Sequence, residues 1–193
     1  MKTFVAILSL FFALSAMAQQ KKKNIIGWRT ITAAGLAAGK SGTGAVYQFS
    51  GGLTYSGWFG GAGIGYNKYT FNSFPLIADL RKSFGKQQLV FVYVNPGYAI
   101  PGKFKMNFND GRPSDDNLEG GFYMDGGLGY RLPFSKWHHL SLSGGYIRKS
   151  MVHHRTIIIP CDSPDCIRQE RQEYTYRYRF GLLTARLSWE WGR

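Results

Sequence analysis

The chain is 193 residues long, 44% hydrophobic and 16% aromatic, with a formal charge of +13 from 24 basic and 11 acidic side chains. The length suits one domain and one closed sheet. The basic excess suggests nucleic acid as a partner, but the cations are spread along the sequence instead of forming one block, and its first residues read as an export signal.

Met1-Lys2 supplies a positive start, Phe4 to Leu14 an apolar run, and Ala16-Met17-Ala18 a small-residue cleavage site. Residues 1–18 are therefore expected to be a secretory signal peptide, too short and wrongly flanked for a retained anchor. Cleavage would leave 175 residues, 193 less 18, and a charge of +12 once Lys2 is gone. Residues 19–27, beginning Gln19-Gln20-Lys21-Lys22-Lys23, read as a solvated tail on the periplasmic side. Beyond them no long apolar stretch remains, only short alternating segments rich in glycine and aromatics.

Those segments fit an eight-stranded antiparallel up-and-down transmembrane β-barrel over residues 28–191, an all-β fold. Membrane strands alternate lipid-facing apolar residues with small or polar lumen-facing ones. The second strand sets Tyr47, Phe49, Leu53 and Tyr55 against Gln48, Ser50, Gly52 and Thr54. The fourth, Leu76 to Phe84, sets Leu76, Ala78 and Leu80 against Asp79, Arg81 and Ser83. The sixth sets Phe122, Met124, Leu128 and Tyr130 against Tyr123, Asp125 and Arg131, and the seventh sets Leu140, Leu142 and Tyr146 against Ser141, Ser143 and Gly145. The first (28–39), third (58–69) and fifth (89–100) are fainter. In the eighth, Tyr174, Tyr176, Tyr178 and Phe180 oppose Arg177 and Arg179, after which Leu187, Trp189 and Trp191 oppose Arg186, Ser188 and Glu190. That change of parity predicts a β-bulge near Leu182-Leu183.

Eight strands starting from the periplasm put the turns at 56–57, 85–88 and 132–138 inside. The connections at 40–44, 70–74, 101–117 and 152–172 fall outside, so both long ones are external, as such barrels require. Within 152–172, Thr156 to Ile159 is expected to pair with Ile167 to Glu173 as a hairpin projecting past the membrane. Cys161 and Cys166 lie at its tip, and in an oxidising compartment a disulfide is the default reading, contributing about 2 kcal/mol. The glycines at 60, 61, 63 and 65, and at 120, 121, 126, 127 and 129, suit a narrow barrel with little inward room. A phosphate-cradling loop would need a following helix, and no helical period is present.

Several segments together resemble small outer-membrane β-barrel proteins of the Bacteroidetes type. They are Gly63-Ile64-Gly65-Tyr66-Asn67-Lys68-Tyr69, Phe74-Pro75-Leu76, Ala78-Asp79-Leu80-Arg81, Val94-Asn95-Pro96-Gly97-Tyr98, Gly120-Gly121-Phe122 onward, and Leu187-Ser188-Trp189-Glu190-Trp191. The resemblance implies an eight-stranded barrel in the outer membrane and carries no active site or cofactor with it.

Three residue sets are candidates for function. Asp79, Arg81, Asp125, Arg131, Arg177, Arg179, Arg186 and Glu190 are expected in the lumen as a charge network, because buried charges need partners. Lys40, Lys68, Lys103, Lys105, Arg148, Lys149 and Arg155 are expected as a cationic outer rim near lipopolysaccharide phosphates, which suit Arg forks and Lys charges. The histidines serve an enzyme hypothesis, in which His153 or His154 works with Ser150, Ser163 or Asp162 on outer-membrane lipid. No nucleophile motif frames any of these serines. A metal site from His153, His154, Cys161 and Cys166 is disfavoured because neighbouring strand residues face opposite ways. The leading expectation is a non-enzymatic barrel with an envelope or surface-interaction role. Its partners are outer-membrane lipids, lipopolysaccharide and a protein met through the outer loops; no nucleic acid or cofactor is expected. A soluble lipocalin-like calyx is the remaining alternative, and it requires the apolar residues to point inward.

Overall fold

The computed structural model describes residues 26–85, 87–102, 114–135, 137–159 and 170–192. The expected signal peptide, Lys103, Lys105, and the Cys161–Cys166 pair with Asp162 and Ser163 lie outside these residues.

Alternation of apolar and small residues folds the described residues into nine antiparallel strands: β1 (Gly27–Gly39), β2 (Gly42–Tyr55), β3 (Trp58–Tyr69), β4 (Phe71–Phe84), β5 (Val90–Pro101), β6 (Ser114–Glu119), β7 (Gly121–Pro133), β8 (His138–Ile159) and β9 (Glu170–Gly192). Neighbours pair in sequence order, with β6 and β7 both on β8, and β1 closes the ring on β9. Strands β6 and β7 form one stave, because Glu119 pairs with Val152 and Tyr123 with Lys149. Three residues, Gly120 to Phe122, thus oppose two, Ser150 and Met151, which is a β-bulge. The barrel therefore has eight staves, as the alternation predicted.

The bulge expected near Leu182-Leu183 is absent. Pairing of β9 with β8 runs unbroken from Ile159↔Glu170 to His138↔Trp191. With one parity along the whole strand, Tyr178 and Phe180 stand on the same side as Arg186, Ser188 and Glu190, while Arg177 and Arg179 are exposed on the outer face. The parity change that β9 lacks occurs at Gly120-Gly121.

The faces are sorted as a membrane requires. Tyr47, Phe49, Leu53, Leu76, Leu80, Leu128, Leu142 and Leu187 are exposed on the outer wall. Gln48, Ser50, Asp79, Asn95, Asp125 and Ser141 are buried inside. The calyx alternative requires the reverse and is excluded. Aromatic side chains mark both rims of the apolar band. Trp28 and Trp191 meet edge-on at 4.9 Å near the end where β1 begins and β9 finishes, the terminal end of the barrel, and Tyr66 packs between Tyr47 and Phe74 toward the other.

The connections differ between the two ends. A two-residue turn at Ser56-Gly57 joins β2 to β3 at the terminal end, both residues having positive φ (49° and 77°), the geometry of a type I′ hairpin. At the opposite end β8 and β9 run on for 22 and 23 residues, against the roughly 9–11 a membrane strand needs. Thr156 to Ile159 pair there with Glu170 to Glu173, the backbone of the expected projecting hairpin.

Glycine makes interior room. A Cβ on Gly129 would strike the Phe91 ring, and one on Gly145 the Tyr93 hydroxyl. The glycines of β7 and β8 are therefore the space into which these two β5 aromatics project.

Candidate functional site

The lumen is filled in tiers. Nearest the terminal end is Glu190, fully buried. Its carboxylate accepts from Arg131 Nε at 2.9 Å and Ser141 Oγ at 3.0 Å, with Arg29 at 3.4 Å and Arg81 at 3.9 Å. Arg131 also donates to Ser83 Oγ and to the Gln88 carbonyl. β9, β7, β8, β1 and β4 thus all hold one carboxylate.

One tier up, Arg81 clasps Asp79 through Nε and a terminal nitrogen, each at 2.8 Å, and Ser50 Oγ donates to Asp79 at 2.6 Å. Arg186 makes the same two-pronged contact with Asp125, at 2.6 and 3.0 Å, and donates to the Tyr93 hydroxyl. Gln48 joins the two pairs: its oxygen accepts from Arg186 at 2.9 Å and its nitrogen donates to Asp79 at 3.4 Å. Aromatic rings flank the guanidiniums, Arg186 over Tyr93 at 4.9 Å, and Arg81 and Arg131 over Phe91 at 5.6 and 5.5 Å. Two-pronged contacts of this kind fix geometry as well as charge.

Above this lies an apolar layer of Ala37, Val46, Ile77, Ala99, Tyr123, Ile147 and Leu182, with Tyr69. Lys149 sits beyond it, fully buried. Its ammonium donates to the carbonyls of Tyr69 and Phe71 and to Ser73 Oγ at 3.1–3.3 Å, and lies 5.4 Å from the centre of the Phe180 ring. Three acceptors match its three protons.

Six of the eight expected lumen charges are in this assembly: Asp79, Arg81, Asp125, Arg131, Arg186 and Glu190. Arg177 and Arg179 are not, because the unbroken register of β9 turns them outward. Lys149, expected on the rim, is inside instead, since odd-numbered residues of β8 face the lumen from Ser141 through His153. Arg29, Tyr93 and Gln48 complete the network. Arg29 shares its parity with the buried Ile31 and Ala33, which was the available signal in a faint first strand.

On the outside, Lys40, Lys68 and Arg148 are exposed; Arg155, also expected on the rim, is half-buried and shares the inward parity of Lys149 and His153 in the unbroken register of β8. The histidines separate: His153 is buried on the lumen side and stacks on Tyr176 at 6.1 Å. His154 faces out, beside Thr175 Oγ1 at 3.1 Å and Glu119 at 3.5 Å. Ser150 shares the outer face of β8, opposite to His153, and donates to the Phe122 carbonyl. His153 and Ser150 are therefore not placed to act as base and nucleophile.

The sequence matches no protein-family model, and no curated protein matches it. Two solved structures share the fold. One is the outer membrane protein OprG from Pseudomonas aeruginosa, at 8% identity and a TM-score of 0.53, covering 86% of this chain and 96% of that one. The other is the outer membrane protein AlkL, solved in DMPC lipid bilayers, at 11% identity and 0.51, covering 91% and 94%. At such identities the likeness is one of architecture: this chain folds as an eight-stranded closed antiparallel β-barrel like those of outer membrane proteins.

Proposed function

We propose that the chain is a non-enzymatic β-barrel of the outer membrane, related to the small barrels of the Bacteroidetes type. It is closed to through-flow, and its work is done at the loop end by the external segments 101–117 and 152–172. The observation that carries this reading is the pairing of an apolar outer wall with a lumen stoppered twice, by the arginine–carboxylate network and by the apolar layer above it. Eight-strand interiors are filled by side chains, and here every inward carboxylate of the network is held by at least one arginine. The names of the two structural neighbours, both outer membrane proteins, support the location. The expected export signal and the basic outer rim fit the same setting, with lipopolysaccharide and membrane lipids as surroundings and a protein partner met through the projecting hairpin.

The test has two arms. Fractionation recovers the protein with the outer membrane, extractable only by detergent, and the purified barrel gives no steady conductance in planar bilayers. Recovery in the soluble periplasm refutes the location, and a stable ohmic pore refutes the closed lumen. Deleting residues 156–173 abolishes capture of any partner while leaving the barrel inserted; retention of the partner by that deletant moves function away from the hairpin.

A further inference from the structure

The register of β9 brings four cations together on the outer wall, in a band running from the level of Gly181 to that of Arg177 four residues above. Arg177 and Arg179 are exposed two residues apart on one face. Ser150 pairs with Arg179, and Arg148 with Gly181, so Arg148 is the diagonal neighbour of Arg179, roughly 7–8 Å away by Cα. On the other flank Ala38 pairs with Leu183, and Lys40, exposed at the turn two residues beyond, stands level with Gly181. Between them, the space a side chain at Gly181 would take is filled by the Tyr146 hydroxyl.

This cluster has a defined depth. Immediately below it the outer face of β9 is Leu183, Ala185, Leu187, Trp189 and Trp191, all exposed. These nine positions are the length of a membrane-spanning strand. The arginines are therefore the first side chains above hydrocarbon, at headgroup height. None of Arg148, Arg177 and Arg179 forms an ion pair among the described residues. Among the described residues, the acidic groups of this face are Glu173, beyond Thr175, and Glu119, which lies level with Arg177 across Val152 and stands 3.5 Å from His154. Like charges so close repel unless an anion lies between them, and guanidinium forks suit phosphate oxygens.

Resting on the outer-membrane reading above, we propose that Arg148, Arg177, Arg179 and Lys40 form a binding site for a phosphomonoester-bearing glycolipid of the outer leaflet. Its acyl chains lie along the Leu183–Trp191 wall and its phosphate is held between the guanidiniums.

The experiment uses the mature chain refolded into nanodiscs, with heat-modifiable gel mobility as the check on barrel formation. Native mass spectrometry then measures binding of bisphosphorylated lipid A, of the same lipid dephosphorylated, and of phosphatidylglycerol. The wild-type chain prefers the bisphosphorylated lipid by at least about tenfold, from a contribution of roughly a factor of five per interfacial cation, and R148Q/R177Q/R179Q loses the preference. R179Q alone, which leaves the fold untouched, reduces it in part. An unchanged preference in these variants, or equal binding of phosphatidylglycerol, overturns the site. A wild-type chain that forms no heat-modifiable barrel in bilayers refutes the membrane reading instead, so the two failures are distinguishable.

Discussion

Glu190→Gln is the sharpest perturbation of the lumen. The carboxylate is fully buried and is the counterion shared by Arg131, Arg29 and Arg81, at 2.9, 3.4 and 3.9 Å. Glutamine keeps the shape and most of the hydrogen bonding but removes the charge. Arg131 and Arg29 are then left with no carboxylate among the described residues, while Arg81 retains Asp79. Removing one partner of a buried pair costs about 3–5 kcal/mol, because the remaining charge stays buried and uncompensated. Equilibrium urea unfolding of the barrel in phospholipid vesicles, followed by tryptophan fluorescence, reads this directly. The expected outcome is a loss of about that size for E190Q and a smaller loss for E190Q/R131M, since the double change takes away one of the stranded cations. E173Q, at an exposed position of the hairpin, should change stability by less than about 0.5 kcal/mol. An E190Q barrel as stable as wild type would refute the claim that the terminal-end tier is a charge-compensated plug.

Three further outcomes are expected. Gly129→Val should destabilise the barrel by about 1–3 kcal/mol through overpacking against Phe91, and Phe91→Leu should restore part of the loss; additive effects in the double variant would contradict the contact. Cysteines at positions 177 and 179 should react with a membrane-impermeant maleimide added outside intact cells, whereas one at 182 should not; equal labelling would reinstate a bulge in β9. Lys149→Met, which removes a buried ammonium from three oxygen acceptors, should cost about 1–3 kcal/mol from the acceptors left unpaired without altering glycolipid binding. A change in binding there would place Lys149 on the rim after all.

The strand count was legible because lipid enforces a two-residue alternation, and Tyr47 and Phe49 against Gln48 and Ser50 display it plainly. Asp79, Arg81, Asp125, Arg131, Arg186 and Glu190 were legible for the same reason, since a charge inside an apolar run has only the lumen to occupy. The errors arose where lipid stops dictating parity. Above the membrane, inward tyrosines and outward arginines are equally tolerable, so Tyr174 to Phe180 looked like a lipid-facing row and demanded a bulge that β9 does not have. The bulge at Gly120-Gly121 went unseen because glycines carry no polarity with which to mark a face. Lys149 illustrates the converse: its charge suggested the rim, although extending the odd-numbered parity of Ser141 and Ser143 leads to the lumen.

The central claim, that the outer wall faces acyl chains, is tested most directly by a nitroxide scan of β2 in vesicles. Single labels at positions 46 to 54 report collision with oxygen dissolved in the bilayer. Labels at 47, 49 and 53 should show high oxygen accessibility and those at 48 and 50 low, with a period of two. A flat profile, or maxima at 48 and 50, would contradict the barrel's orientation toward lipid.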